Sequence, residues 1–423
     1  MASVDFRIPQ EIAANLVDPS VYGDHRLHET YRWLRANQPL GVADVDGFAP
    51  FWVVTRHADI QSISRQSELF RSSDRPVALL GARAEVKLRA MSGGQPGLLR
   101  ALVQMDAPDH PKYRALSQKW FLPGNLRLIE GRIRATAQEY AERLVALGGR
   151  CDFVSDVALS YPLRVVMGIL GVPQEEEPRM LRLTQEFFGT KDPDTIREKG
   201  RADVGALADV IDEFGRFFAK IAQDRRTHPQ DDLASVIANA SVDGAPISDL
   251  DVLSYYVTIA TAGHDTTSSS TAGGMWALCE NQDQFRRLQQ DPSLLAGFID
   301  EAIRWTTPVK HFMRSAAADT EIDGRPIRKG DWLMLCYASG NRDEAVFDDP
   351  DTFRIDRSPN RHLAFGYGAH LCLGQYFAKM EMRILFEELM LRLKSVALDG
   401  EPAMSVSWFV NGPKRLPIRY ELN

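Results

Sequence analysis

The run Phe365-Gly366-Tyr367-Gly368-Ala369-His370-Leu371-Cys372-Leu373-Gly374 places glycines and a single cysteine together, just ahead of the helical pattern QYFAKMEMRILFEELMLRL. Gly366 and Gly368 would let the backbone turn tightly and approach a flat cofactor closely. A cysteine just before a helix N-terminus meets amide hydrogens and the positive end of the helix dipole, which favour the thiolate. A thiolate held by backbone donors is what an iron porphyrin needs as its axial ligand. A dinucleotide fingerprint would instead need glycine at 371, where Leu371 stands, and a strand–helix–strand unit around it. A zinc site would need more ligands than His370 and Cys372. A buried structural cysteine in a glycine-rich turn is the plain alternative.

Two further groupings carry chemistry. Ala262-Gly263-His264-Asp265-Thr266-Thr267 lies at the centre of a mostly apolar helical pattern running from Asp249 to Glu280. Glycine and the following Ser268-Ser269-Ser270 are poor helix-interior choices, so this helix is expected to be distorted at its middle. An acid beside an alcohol can relay protons, and a kink opens space for small molecules; the plain alternative is a polar stripe. Glu301-Ala302-Ile303-Arg304 puts a carboxylate and a guanidinium on one helix face. The same spacing recurs at Glu29/Arg32, Glu176/Arg179 and Glu213/Arg216, and surface pairs of that kind contribute little. Glu301 differs by its position 71 residues before Cys372, with Pro350-Asp351-Thr352-Phe353 and Arg357 between them.

The elements that must position these groups are mainly helical. HRLHETYRWLRAN, EGRIRATAQEYAERLVAL, DVGALADVIDEFGRFFAKIAQDRR and FIDEAIRWT carry apolar residues at three- and four-residue spacing. Pro50 to Thr55 reads as a strand, and Asp323-Gly324 and Asn411-Gly412 read as hairpin turns. Residues Phe70 to Gly97 read as irregular, with GARAEVKLRAMSGGQPG as a flexible segment, and no strand–helix alternation supports a doubly wound sheet. The expected fold is mainly α with small β-sheets (α+β), one domain over 1–423, with residues 1–15 flexible.

Composition narrows the class. The 423 residues carry a net charge of −7, with 44% hydrophobic and 25% charged residues, which fits a globular protein and gives no reason to expect nucleic acid. The four cysteines form no CxxC and no close pair, which fits a reducing compartment. The opening MASVDFRIPQEIAANL lacks a basic region followed by an apolar run, so no signal peptide or membrane anchor is expected and the cytoplasm is the expected location. Residues 111–135 hold Lys112, Arg114, Lys119, Arg127, Arg132 and Arg134 against Glu130, and Lys379 and Arg383 follow the cysteine. Such a basic patch would steer an acidic protein partner. No flavin, nicotinamide or iron–sulfur fingerprint occurs, so electrons for any redox chemistry would come from separate proteins.

The cysteine loop resembles the haem-binding signature of the cytochrome P450 superfamily, and the resemblance extends over nearly the whole chain. It implies a soluble haem-thiolate monooxygenase enclosing haem b. Cys372 would be the axial iron ligand, with Phe365 and Gly366 around it and Ala262 against the cofactor. Glu301, Arg304 and Arg357 would brace the cysteine loop, while Asp265 and Thr266 would deliver protons and His264 would ligate nothing. His110, Arg114, Arg314 and His362 would meet the haem propionates. The resemblance also implies O₂ as co-substrate and electrons from a ferredoxin, of the [2Fe-2S] kind, with a ferredoxin reductase and NAD(P)H.

Within the superfamily, YYVTIATAGHDTTSSS, DEAIRWTTPVKHFMR, CYASGNRDEAVF and NRHLAFGYGAHLCLGQ look especially like bacterial terpineol-hydroxylating members. That implies a monoterpenoid or an alkyl-substituted aromatic substrate, oxidised at a methyl or at an allylic or benzylic carbon. The pocket residues expected are Ala78, Leu79, Leu80, Ile259, Ala262, Val309, Phe312, Phe409 and Val410. The alternatives are a peroxide-driven peroxygenase and a non-catalytic protein binding haem or an apolar ligand.

Overall fold

The computed structural model describes residues 6–24, 26–197 and 203–423, and helices dominate it. The main core forms where four apolar-faced helices meet: Pro123–Ala146, Asp265–Glu280, Leu295–Thr306 and Gln375–Arg392. Their buried faces interlock through Ile129, Ile133, Met275, Phe298, Ala302, Leu385 and Phe386. Phe298 stands edge-on to Phe386 with ring centroids 4.7 Å apart.

The strands are short and lean on this helical body. A five-stranded sheet runs in the order Leu40–Ala43, Phe51–Val54, Trp332–Cys336, His311–Ala316, Phe70–Arg71. Only the pairing of Phe51–Val54 with Trp332–Cys336 is parallel. Its two faces are covered by separate apolar clusters, so FWVV and WLMLC are buried throughout. Leu393–Leu398, Pro417–Leu422 and Arg150–Asp152 form a second, antiparallel sheet. The fold is therefore mainly α with small sheets. No described helix is long and apolar enough to cross a membrane.

Some expectations from the sequence change here. The segment expected to be flexible contains a helix, Ala82–Met91, built from good helix formers and pinned by Glu85 to both Arg75 (2.6 Å) and Arg89 (3.2 Å). Of the segment 1–15, residues 1–5 lie outside the described residues, and Gln10–Val17 forms a helix that buries Ala13 and Leu16. Asp323 and Gly324, at φ 48° and 73°, make the expected tight hairpin between Thr320–Ile322 and Arg325–Ile327. Asn411-Gly412 is not such a turn. It closes a longer loop, in which Ser405 N–H donates to Gly412 O at 2.9 Å while Asn411 N–H donates to Pro308 O at 2.9 Å.

Candidate functional site

The cysteine loop is held almost wholly by its own backbone. Cys372 N–H donates to Phe365 O at 2.8 Å, and Gly366 N–H donates to Leu363 O at 2.8 Å. Gly366 and Gly368 sit at φ 71° and 72°, and a Cβ on Gly368 would run into the Ser64 carbonyl. Arg114 reaches across and donates to Leu371 O at 2.8 Å. The helix after the loop begins at Gln375, so Cys372 lies ahead of its first turn. Against the expectation from the sequence, the helix terminus does not by itself make the free thiol acidic. Burial pushes Cys372 up, and the Gly374 N–H and the Arg114 charge only partly offset it. A thiolate here would have to be secured by a bound metal, whose binding expels the thiol proton.

Behind the loop stands a buried ionic cluster. Glu301 accepts from Arg304 Nε and Nη2, both at 2.7 Å, and from Arg357 Nε at 3.1 Å. Arg354 N–H (3.0 Å) and Asn360 Nδ2 (3.1 Å) complete its shell. Arg304 donates onward to the carbonyls of Asn341 and Pro350, and Arg357 to those of Asp348, Asp349 and Thr352. Asn341 Oδ1 in turn accepts from Leu363 N–H, two residues before Phe365. The other ExxR spacings do nothing comparable: Arg32 pairs with Asp351, Glu213 with Arg182 and Arg197, and Glu176 meets Arg179 at 3.7 Å in solvent.

The long apolar helix is two helices, Asp249–Ala262 and Asp265–Glu280, broken at Gly263-His264. A Cβ on Gly263 would lie 2.6 Å from Val166 Cγ2 and 2.8 Å from Ile259 O, so only glycine lets the break pack closely. The His264 ring is fully buried between Thr184 Oγ1 (2.9 Å) and Leu159 O (2.9 Å). Thr266 Oγ1 donates to Ala262 O at 2.7 Å, across the break. Asp265 Oδ2 is buried without a hydrogen-bond partner among the described residues, 3.5 Å from His264 Nδ1.

These pieces enclose a cavity with about 1540 Å³ of empty space, part of it open to solvent. Its walls include Cys372, Phe365 and Gly366 from the loop, Ile259, Ala262 and Thr266 from the broken helix, and Val309 and Phe312. Thr307, at φ 41°, ends the helix Leu295–Thr306 and turns Pro308 and Val309 toward the cavity. Asp265 is not in the wall.

The expected pocket residues divide. Phe409 packs on Phe312 at 5.4 Å between centroids, and Val410 bridges to Val309, so neither lines the cavity. Leu79 is buried in a sheet-side cluster, and neither Ala78 nor Leu80 is in the wall. Sequence reasoning missed Leu102 and Val103, which line it from the segment LLRALV, and Tyr255 and Thr258 from the broken helix. It also missed Glu381, an acid between two methionines. Burial pushes that carboxyl well above the usual range, which favours its protonated form in the wall near Thr267.

Basic groups converge at one edge. His110 and Arg114 lie on the helix Asp109–Gln118 and line the cavity, and the His110 ring lies 4.3 Å from that of His370. Burial, reinforced by His370 and Arg114, brings His110 down to about 4. Arg314 is buried beside them, electrostatically coupled to His110 and His370. Its one hydrogen bond among the described residues goes to Met313 O, at 2.7 Å. No carboxylate pairs with Arg114 or Arg314 among the described residues, which suits an anionic ligand edge. The predicted fourth member, His362, is not in the wall; its Nε2 faces Asp300 at 3.7 Å. His370, by contrast, lines the wall at that edge. A cysteine thiol on the wall, two arginines without carboxylate pairs at one edge and glycines allowing close approach together fit haem b.

The basic surface is partly neutralised. Arg134 pairs with Glu387 (2.7 Å), Arg383 with Glu130 (2.8 Å), Lys379 with Asp300 (2.6 Å) and Lys112 with Asp243. Lys119, Arg127 and Arg132 stay exposed with no ion pair among the described residues, in the same stretch of chain as exposed Leu122 and Leu128.

Comparison with known proteins adds independent findings. A family model described as "Cytochrome P450" matches residues 143–419. "Cytochrome P450-terp" of Pseudomonas sp is 46% identical over 419 residues, covering 98% of each chain. "Linalool 8-monooxygenase" of Pseudomonas putida is 33% identical, covering 96% of this chain and 98% of its own. The crystal structure of CYP108D1 from Novosphingobium aromaticivorans superposes with a TM-score of 0.92 at 44% identity, covering 99% of this chain and all of that one.

Proposed function

This chain belongs to the cytochrome P450 family, and from that premise we propose that it hydroxylates a monoterpenoid or an alkyl-substituted aromatic. It is a monooxygenase, and members of its family bind haem through a cysteine thiolate. The proposed position of attack is a methyl, allylic or benzylic carbon. The observation that carries the reading is a single cavity walled at once by Cys372, by Thr266 and by the apolar Ile259, Val309, Phe312, Leu102 and Val103.

Cys372 is assigned to hold the iron, and haem b supplies the binding and activation of dioxygen once it is in place. His110, Arg114, Arg314 and His370 are assigned to its two carboxylates through charge-assisted hydrogen bonds, the two arginines having no carboxylate pair of their own among the described residues. The Glu301–Arg304–Arg357 cluster fixes the loop that carries the cysteine. Thr266 holds a proton at Oγ1 on the wall and Asp265 stands next to it, a pairing suited to passing protons inward. The apolar side chains bind substrate by burial and keep bulk water off the reacting carbon. A substrate with one or no polar group suits walls that are mostly apolar and whose acid, Glu381, is pushed by burial toward its protonated form.

Electrons are assigned to a ferredoxin, probed at the stretch of chain that carries Lys119, Arg127 and Arg132 with Leu122 and Leu128. That mixture of free positive charge and exposed apolar side chains matches an acidic partner. The whole chain is taken to act as one domain, in the cytoplasm. The relative named linalool 8-monooxygenase and the terpineol-hydroxylase-like stretches support the substrate class. The test is a screen of terpenoids, alkylbenzenes, fatty acids and steroids for a low-spin to high-spin shift. Terpenoids or alkylbenzenes should give the largest shifts; a response confined to fatty acids or steroids overturns the assignment.

A further inference from the structure

We infer that Arg100 is a positioning residue for substrate recognition, fastening residues 97–104 over the cavity and so setting where Leu102 and Val103 stand in its wall. The inference rests on reading this cavity as the substrate chamber.

The segment cannot hold itself in place. It contains one short turn, Leu102–Gln104, and its ties to itself and its immediate flanks are Gln104 N–H to Ala101 O, Met105 N–H to Leu102 O and Gln104 Nε2 to Pro96 O. A single turn of that kind is unstable without external support. Among the described residues, every hydrogen bond from 97–103 to a residue outside 96–105 is made by Arg100. Its N–H donates to Ser254 Oγ at 2.9 Å, Nη1 to Asp251 Oδ1 at 2.8 Å and Nη2 to Asp109 Oδ2 at 2.5 Å. The guanidinium also lies over the Tyr113 ring, 4.4 Å from its centroid.

The anchors are themselves rigid parts of the cavity. Asp251 is buried and also accepts from Ser248 Oγ (2.8 Å) and Tyr113 OH (3.2 Å), as part of the capping box that starts the helix Asp249–Ala262. That helix supplies Tyr255, Thr258, Ile259 and Ala262 to the wall. Asp109 and Tyr113 belong to the helix that carries His110 and Arg114. One guanidinium therefore ties a loop otherwise free of outside hydrogen bonds to the two helices beside substrate and cofactor. A planar fork can serve two carboxylates at once, and an ammonium at the same place serves them less well. Removing it also leaves Asp251, a desolvated carboxylate, short of its cation.

The experiment compares holoenzyme with Arg100→Met, Arg100→Lys and Asp251→Asn. For each it measures the dissociation constant of the terpenoid giving the largest spin shift and the amide exchange rate of residues 97–104. Arg100→Met should weaken binding on the order of tenfold and speed exchange across 97–104. Haem content and the reduced CO spectrum should stay as in wild type. Arg100→Lys should fall between, and Asp251→Asn should move in the same direction as Arg100→Met. Unchanged affinity and exchange in Arg100→Met overturn the inference, as does a lowered unfolding midpoint with affinity untouched. Should Arg100→Met not fold, the lysine and Asp251→Asn variants decide by the same two readouts. Wild-type enzyme that binds no terpenoid or alkylbenzene would defeat the substrate reading, and the exchange rates would still decide the role of Arg100.

Discussion

Replacing Glu301 with glutamine tests whether the buried cluster braces the cysteine loop. Glu301 and Arg304 have no exposed side-chain surface, and Arg357 is 4% exposed. The carboxylate takes hydrogen bonds from Arg304, Arg357, Arg354 N–H and Asn360. A glutamine keeps the shape, removes the sole negative charge in that shell and turns an NH₂ group toward other donors. Two guanidinium groups then stay buried with no counter-charge from residue 301, only one amide oxygen and main-chain carbonyls as acceptors. Breaking a buried pair costs about 3–5 kcal/mol, and two cations sharing one acid place this case at about 5. Against a total of about 5–15 kcal/mol, that is a third or more of the stability. With a urea m-value of about 3 kcal/mol/M, the midpoint falls by more than about 1 M. The control is Glu176→Gln, whose partner Arg179 lies 3.7 Å away with both side chains more than a third exposed; it should change stability by no more than about 0.5 kcal/mol. Burial pushes the Glu301 carboxyl up, but Arg304 and Arg357 win and hold it below its ordinary value. Its stabilisation is thus present above the usual carboxylate range and fades as pH falls through the lowered value, so the two proteins should converge in acid. Equal midpoint shifts for Glu301→Gln and Glu176→Gln would refute the bracing role.

Thr266→Ala should divert electrons to peroxide, read as product formed per NAD(P)H consumed; an unchanged ratio counts against its part in proton delivery. Lys310 is buried, donates to Thr306 O at 2.8 Å, and is brought down to about 7 by burial, with Arg342 adding to the effect. The unfolded chain keeps a proton that the native protein drops above about pH 7, so stability should climb from there toward the ordinary lysine value. Lys310→Met should accordingly be more stable than wild type at pH 7 and lose that advantage by about pH 10, measured by urea midpoints; a gap constant with pH contradicts this. Arg127→Glu with Arg132→Glu should slow electron transfer from an acidic ferredoxin and flatten its dependence on salt, with substrate binding unchanged. Equal transfer rates would move the partner face elsewhere.

What the sequence revealed was mostly local. The Cys372 loop, the break at Gly263 and the Asp323-Gly324 hairpin each depend on residues a few positions apart, where glycine and turn chemistry speak directly. Helix Ala82–Met91 was legible in its composition too, but Gly81 and Gly93-Gly94 at its ends drew attention away from it. Relations across the chain were harder. His362 and His370 are equally plausible by spacing, and only folding shows that Asp300 draws one aside while His110 meets the other. Apparent positive charge at Arg134, Arg383 and Lys379 is cancelled by Glu387, Glu130 and Asp300 from other helices. Phe409 and Val410 looked like pocket residues because they sit at a loop tip, yet they back Phe312 and Val309 instead of replacing them.

The most direct test of the central claim is the absorption spectrum of the reduced carbon monoxide complex, recorded for wild type and for Cys372→Ala. Wild-type protein should show the red-shifted Soret band of a thiolate-ligated haem, and the variant should lack it. A variant that keeps the band, or a wild-type protein that refuses haem altogether, would contradict the account.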